Sequence, residues 1–272
     1  MEKKNTKVPQ KNKRNGRGTF TGVRARRNYK DTLFRMLFRD SKQLLDLYNA
    51  VNGTHYTNVD DLKIVTLENA VYMNMKNDLA FILDMNLYLY EHQSTMNPNI
   101  PLRDLFYIAA EYQKLVDKKS LYSSALQKIP NPHFIVFYNG STPIDDCYTN
   151  RLSDAFYHAT DNPSLELIVT TFNVNAGHNT ELMSHCQILK EYSIYVAKVR
   201  SLAEQMPLDD AVQKAVTECI QENILADFLR KNQAEVIAMS IFEYDKVEEE
   251  KKLRKAEFEA GREAGIEEGR MA

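Results

Sequence analysis

The residues with the clearest chemical potential are two acids, Asp78 and Glu91, that flank a predicted β-hairpin. Two apolar, strand-like runs, Leu79 to Leu83 and Leu87 to Tyr90, lie between them, and Asp84-Met85-Asn86 is typical of a tight turn. A fold about the Asp84–Met85 bond places Asp78 directly opposite Glu91. Directly opposed residues share one face of a hairpin, with Cβ atoms ~5 Å apart. The hairpin therefore predicts a pair of converging carboxylates.

A divalent cation would relieve the repulsion between two opposed carboxylates. Mg²⁺ prefers hard oxygen ligands and often takes only one or two protein carboxylates. It can polarise a phosphoryl oxygen and lower the pKa of a bound water. Gln93 lies two residues beyond Glu91 and so on the same face, whereas His92 points to the opposite face and is not assigned to the site. The alternative is two solvated acids on an exposed face, which is where acidic residues mostly lie.

The same residues resemble a known family. Asp78, a spacer of 12 residues and then Glu91-His92-Gln93 at the end of an apolar strand resemble the core of a PD-(D/E)XK nuclease, with Glu-x-Gln in place of the more usual Glu-x-Lys. The following segment, Ser94 to Arg103, narrows the resemblance to the recombination-promoting nuclease or transposase branch of that superfamily. Further matching segments, within a resemblance that covers roughly residues 29 to 245, are Asp31-x-x-Phe34, Phe134 to Gly140 and Phe172 to Asn179.

The resemblance implies a fold and an activity. The fold would be α/β, a restriction-endonuclease-like core with a central mixed sheet flanked by helices, plus a helical C-terminal region. The activity would be metal-dependent cleavage of DNA phosphodiester bonds, associated with recombination or transposition. Asp78 and Glu91 would coordinate Mg²⁺ (or Mn²⁺), joined by the backbone carbonyl at position 92 as in related nucleases.

The lysine of Glu-x-Lys enzymes orients water and neutralises developing charge, and this chain has a glutamine in its place. Gln93 can supply only hydrogen bonds. Lys76 lies opposite Gln93 in the proposed hairpin and could place an ammonium group nearby. The departure leaves a second functional class open: a catalytically weak or inactive DNA-binding or interaction protein that retains the nuclease fold.

A predicted helix follows the Glu91 strand, beginning near Pro101 and running to about Lys118. Arg103 lies in its first turn, just beyond the strand that carries Glu91. Its guanidinium could hold a phosphate by a bidentate contact. An exposed arginine or a structural ion pair is the equal alternative.

The charge of the chain is distributed unevenly. Residues 1–30 hold 11 Lys/Arg and one acid, Glu2, which gives +10 against a net charge of −2 for the whole chain. Residues 1–28 have almost no large apolar side chain, so we predict that they are disordered. They could form a basic arm that contacts nucleic-acid phosphates, or they could be a solubilising or vector-derived tail.

The remaining pattern predicts how the site is framed. Asp31 opens a helix over residues 30–51, where it either favours the helix dipole or approaches the metal site. We predict a nuclease-like core over 29–180, a helical region over 181–246 and a charged, glycine-containing tail over 247–272. The predicted strands of the core besides the hairpin are Leu62 to Leu67, His133 to Tyr138 and Leu165 to Val174.

Several classes of protein are disfavoured by composition. The three cysteines have no C-x-x-C spacing, which argues against a disulfide framework and favours a reducing, cytoplasmic compartment. No apolar run approaches ~18 residues, so no membrane partner is expected. Motifs for ATP hydrolysis and serine hydrolysis are absent. Gly261, Gly265 and Gly269 recur every four residues and predict a frayed polar helix, with self-association into a homo-oligomer as the lesser alternative.

Overall fold

In a computed structural model of the protein, the described residues are 33–65 and 79–241, together with positions 252, 255, 256, 258, 259 and 262, which are helical. They all belong to one compact unit of the chain, Asp31–Ala272. Asp31, Lys76, Asp78 and the basic arm lie outside the described residues. The predictions made for them, and the proposed boundaries at 180 and 246, stay predictions.

The predicted hairpin is present and has the predicted register. Strand β2 is Leu79–Leu83 and strand β3 is Asn86–Gln93, and Leu79 pairs with Tyr90 while Leu83 pairs with Asn86. The two loop residues, Asp84 and Met85, have positive φ angles of 47° and 61°. Positive φ at both central positions gives the turn whose twist matches that of a two-residue hairpin.

Four further strands complete a six-stranded mixed sheet: β1 (Lys63–Ile64), β4 (Asn131–Tyr138), β5 (Cys147–Arg151) and β6 (Ile168–Asn173). The strand order is β1-β2-β3-β4-β6-β5. Strands β1 to β3 form an antiparallel meander, β4 is parallel to both β3 and β6, and β5 is antiparallel to β6. The α/β class is therefore confirmed.

Helices pack on both faces of this sheet. One face is covered by α1 (Leu33–Phe38), α2 (Ser41–Asn52), α4 (Thr180–His185), α5 (Gln187–Ala203), α6 (Leu208–Gln221) and a helical segment over 226–241, called α7. The opposite face packs against α3 (Ile100–Leu115). Because both faces are covered, the central strands are nearly continuous apolar runs. The C-terminal helices thus form a layer over the sheet.

The helix predicted over 30–51 and the start of the helical region predicted over 181–246 are each divided in the structure. The first is interrupted before α2, where the Asp40 carboxylate accepts hydrogen bonds from the backbone N–H groups of Lys42 and Gln43, at 3.1 Å each. This is an N-cap that satisfies two otherwise unpaired helix donors. The second is interrupted at Cys186, whose extended backbone (φ −130°, ψ 92°) separates α4 from α5. α2 ends at Gly53, which has φ 63°, a left-handed conformation that glycine adopts readily.

Strand and helix limits also differ from the predictions. The strand predicted from Leu62 begins as the short β1, the one from Leu165 is shortened to β6, and α3 ends at Leu115. Strand β5 was not predicted, because its sequence CYTNR is polar and, apart from Asn150, exposed. Within the described ranges, no helix has both the length and the apolarity needed to cross a bilayer.

Candidate active site

Alternation along β3 places different side chains on the two faces of the sheet. Leu87 and Leu89 contribute to the apolar cluster beneath α3, so Glu91 and Gln93, at the same alternation, lie on that face at the strand's carboxyl end. The first turn of α3 begins beside them. The predicted common face of Glu91 and Gln93 is confirmed by a 3.0 Å hydrogen bond from Gln93 Nε2 to Glu91 Oε1.

The two oxygens of the Glu91 carboxylate have different surroundings. Oε1 accepts hydrogen bonds from Gln93 Nε2 and from Arg103 Nη2, each at 3.0 Å. Oε2 is buried and has no hydrogen-bond partner within the described part of the chain. Glu91 as a whole is 8% exposed. One oxygen is therefore fixed by two donors, whereas the other is buried without one.

Arg103 forms the ion pair that sequence reasoning gave as one of its two alternatives. Its side chain is 25% exposed, against 11% for Glu91. Burial acts to lower the pKa of Arg103, but the neighbouring Glu91 carboxylate, together with Tyr107 and Asp104, more than offsets this, and the pKa lies above its ordinary value. The guanidinium is thus a permanent cation beside the carboxylate, and its phosphate contact stays a prediction.

Sequence reasoning missed two buried polar residues on α3, Asp104 and Tyr107, each 3% exposed. Burial, with the charge of Glu91 as the next cause, raises the pKa of Asp104 well above its usual range. Burial also raises the pKa of Tyr107 to about 12, although nearby Arg103 opposes that shift. A polar pair at i and i+3 in an otherwise apolar helix stripe was the available signal.

Two other site residues, Asp78 and Lys76, were predicted from the sequence. Both lie outside the described residues, so their convergence with Glu91 and Gln93 stays a prediction. Within the described ranges, no group of three or more His, Cys, Asp or Glu side chains is arranged to hold a metal ion. In the described part of the chain, a cation bound at Glu91 would therefore have at most two such side chains as ligands.

His92 lies on the opposite face of the sheet, as predicted. Its Nε2 is 2.7 Å from the Tyr192 hydroxyl, and its ring stacks on Phe34 with centroids 5.1 Å apart. Burial and the nearby Arg200 charge lower the pKa of His92 to about 3, so the ring is neutral. His92 is a core residue that anchors the carboxyl end of β3 to α5.

The residues after β4 and β6 hold this end of the sheet together. Arg200 donates to the Asn139 carbonyl and, at 2.8 Å, to Asn175 Oδ1. Asn175 in turn donates to the Gly140 carbonyl at 3.0 Å. A Cβ atom at Gly140 would lie 2.2 Å from the Ser94 carbonyl oxygen, so only glycine allows this approach to the residue after Gln93.

His178, in the loop after β6, has a structural partner. Its Nδ1 is 2.6 Å from Asp146 Oδ1, and this hydrogen bond is the main cause of the lowered pKa of Asp146.

The donor set around Glu91 suits a hard cation. The unpartnered Oε2 is a carboxylate oxygen, and Mg²⁺ and Mn²⁺ sites are built from such oxygens and water. The arrangement combines a candidate metal ligand, a neutral amide that orients it and an arginine that can face a phosphate. Comparisons of the chain with protein-family models, with curated proteins and with solved structures gave no match.

Proposed function

We propose that the protein is a metal-dependent DNA endonuclease that hydrolyses phosphodiester bonds, in a process associated with recombination or transposition. The principal support is the buried, unpartnered Oε2 of Glu91 beside an Oε1 fixed by two donors. A buried polar atom without a partner is destabilising by ~1–3 kcal/mol, and by more when the group is charged. A bound Mg²⁺ or Mn²⁺ ion would remove that penalty.

The fold is compatible with this proposal. A helix pair precedes an antiparallel meander, and α3 then connects β3 to the parallel strand β4. Such an arrangement agrees with a restriction-endonuclease-like core. Glu91 lies near the carboxyl end of β3, beside the first turn of α3, where strand and helix residues can act together.

Each residue has a distinct part in the proposed reaction. Glu91 would bind the cation through Oε2, with Asp78 as the predicted second ligand and the carbonyl at position 92 as a third. When bound, the ion would polarise a phosphoryl oxygen and lower the pKa of a bound water. Gln93 holds the Glu91 carboxylate in orientation through its amide N–H.

Arg103 would supply the positive charge that Gln93 lacks. One of its N–H groups is used on Glu91 Oε1, and a quarter of its side-chain surface remains exposed. The other N–H groups can therefore face a phosphate, whose oxygens gain negative charge during displacement. Because Glu91 already holds the Arg103 side chain in place, less side-chain entropy would be lost when Arg103 binds a phosphate. Lys76, opposite Gln93 in the predicted hairpin, is the alternative source of charge.

The competing hypothesis is a catalytically weak or inactive DNA-binding or interaction protein with the same fold. The observation in its favour is Gln93, because an amide cannot replace the lysine cation of Glu-x-Lys enzymes. This hypothesis predicts DNA binding without metal-dependent strand cleavage.

The test is nicking of supercoiled plasmid by purified full-length protein, with Mg²⁺, with Mn²⁺ and with chelator. We expect Glu91→Ala and Asp78→Ala each to abolish cleavage while circular dichroism remains unchanged. Asp161→Ala, which removes an exposed loop acid, is the matched control and should cleave at the parental rate. Gln93→Lys should retain or raise cleavage.

Lys76 is tested in the same assay. If it supplies the charge, Lys76→Ala should impair cleavage and Gln93→Lys should restore it. Parental cleavage by folded Asp78→Ala or Glu91→Ala would overturn the proposed metal site and favour the binding-protein hypothesis.

A further inference from the structure

Asp104 is a buried carboxylic acid that the proposed reaction does not use. It lies in α3 directly after Arg103 and is 3% exposed. Aspartate is almost never fully buried unless it is paired, and removing an ionised carboxylate from water is destabilising by several kcal/mol. The position therefore calls for a compensating partner.

The neighbours of Asp104 form one polar cluster, consisting of Glu91, Arg103, Asp104 and Tyr107. Burial is the main cause of the raised pKa of both Asp104 and Tyr107; the charge of Glu91 acts in the same direction on both, and Arg103 acts to lower both. Asp104 and Tyr107 are three residues apart and share one side of α3. Strand β3 and a single turn of α3 thus bring all four groups together.

Two oxygens in this polar cluster are buried without a hydrogen bond to any described residue: Glu91 Oε2 and Tyr107 Oη. Both residues are buried: Glu91 as a whole is 8% exposed, and Tyr107 is 3% exposed. Of the two, the Glu91 Oε2 atom is a carboxylate oxygen, the kind of group that a hard cation prefers as a ligand. The lack of hydrogen-bond partners for these two oxygens is an observation separate from the burial of Asp104.

The charges of the cluster specify the kind of ligand. The cluster holds two acidic groups, Glu91 and Asp104, and one guanidinium, and that guanidinium is bound to Oε1 of Glu91. A divalent cation would supply the missing positive charge, and hard cations prefer carboxylate oxygens. We propose that Asp104 and Glu91 together bind one Mg²⁺ or Mn²⁺ ion, with Glu91 Oε2 and the Asp104 carboxylate as ligands.

This inference deepens the proposed function, since it rests on the same cation, and it adds a ligand from α3 to those from the hairpin. Tyr107 is neutral at physiological pH, as tyrosine ordinarily is, and burial raises its pKa further, to about 12. Its hydroxyl can therefore donate a hydrogen bond to a carboxylate or to water in the site. The cation would link the end of β3 to the first turns of α3.

The experiment measures Mn²⁺ binding to the full-length protein by calorimetry and by the electron paramagnetic resonance signal of free Mn²⁺. Asp104→Asn keeps the side-chain shape and removes the charge. We expect it to weaken Mn²⁺ binding by more than about tenfold, the smallest loss typical even for groups outside the ligand shell. Its melting temperature without metal should equal or exceed the parental value, because a neutral amide of the same shape replaces an acid that is buried beside Glu91.

Glu111→Gln is the matched control, because Glu111 is also 3% exposed on α3 but is paired with Lys114 at 2.6 Å. It should bind Mn²⁺ with parental affinity. If Asp104→Asn does not fold, Asp104→Ser provides the same comparison with a smaller polar side chain.

The outcomes separate this inference from the proposed function. Parental Mn²⁺ affinity in the folded Asp104 variant overturns the inference, even if Glu91→Ala abolishes cleavage. Loss of Mn²⁺ binding in that variant, with a parent that binds Mn²⁺ but does not cleave DNA, supports the inference and overturns the nuclease. A parent that neither binds Mn²⁺ nor cleaves DNA overturns both.

Discussion

The ion pair between Arg103 and Glu91 should be energetically strong enough to fix the candidate metal ligand. A double-mutant cycle tests this with Arg103→Met, Glu91→Gln and the double variant. Nη2 and Oε1 are 3.0 Å apart, and the side chains are 25% and 11% exposed. Both substitutions preserve most of the side-chain volume, so the cycle reports mainly on charge.

The expected coupling follows from distance and burial. Two unit charges about 4 Å apart attract by ~4 kcal/mol at an effective dielectric constant of about 20. Partial desolvation of both groups offsets roughly half of this, and hydrogen bonds to charged groups contribute ~1.5–3 kcal/mol net. We therefore expect a coupling of about 2 kcal/mol. Each single variant should lose about 2 kcal/mol, and the double variant about as much as either single variant.

The assay is urea denaturation at pH 7 in metal-free buffer, with equal m-values required across the cycle. The pair of Lys114 and Glu111 on the same helix is the control. Its atoms are closer, at 2.6 Å, but Lys114 is 43% exposed, so solvent screening should limit its coupling to about 0.5 kcal/mol. A coupling for Arg103 and Glu91 no larger than that of the control would refute the claim that Arg103 fixes Glu91.

Four further results are expected. Gly140→Ala should destabilise the fold by about 2 kcal/mol in urea, because its Cβ would lie 2.2 Å from the Ser94 carbonyl oxygen; wild-type stability would show that the loop adapts freely. Met85→Gly should raise stability by about 0.5–1 kcal/mol, since Met85 has φ 61° and is 75% exposed; a loss would contradict this. Burial lowers the pKa of His92 to about 3, so its contribution is complete above the unfolded pKa near ~6.5 and is lost towards pH 3 at up to ~1.4 kcal/mol per pH unit. Stability of His92→Gln should therefore fall less than that of the parent between pH 6 and 5, and parallel curves would argue against a buried neutral ring. Deleting residues 1–28 should flatten the salt dependence of DNA binding, by ~0.9 in log–log slope for each lost phosphate contact. An unchanged slope would exclude direct phosphate contacts by the basic arm.

The hairpin could be predicted because its determinants are local. Apolar runs of similar length flank a polar turn, and the side-chain alternation then fixes which residues share a face. The register of β2 and β3 agrees for every pair between Leu79 and Leu83. The common face of Glu91 and Gln93 follows from the same alternation.

Other features depend on contacts between distant parts of the chain. Strand β5 pairs with β6 through its backbone, although its side chains give no apolar alternation. The partner of Arg103 also could not be selected from sequence, because the choice between phosphate and carboxylate depends on how α3 crosses the end of β3. Burial of Asp104 follows from that same packing.

Four buried side-chain atoms have no hydrogen-bond partner among the described residues, and the carboxylate oxygen among them lies on the α3 face of the sheet. They are Tyr90 Oη, Asn139 Oδ1, Tyr107 Oη and Glu91 Oε2, counted among the described residues. Tyr90 and Asn139 are neutral groups, and leaving such an atom unpaired is destabilising by ~1–3 kcal/mol that packing can offset. Glu91 Oε2 is the one atom of the four that belongs to a carboxylic acid, and the free-energy penalty for a buried carboxylate is larger than for a neutral group. Its only cationic partner among the hydrogen bonds described is Arg103, which is placed on the other oxygen. A second positive charge near Oε2 is therefore the simplest way to stabilise the ionised site, and a divalent cation is the candidate that also accounts for Asp104.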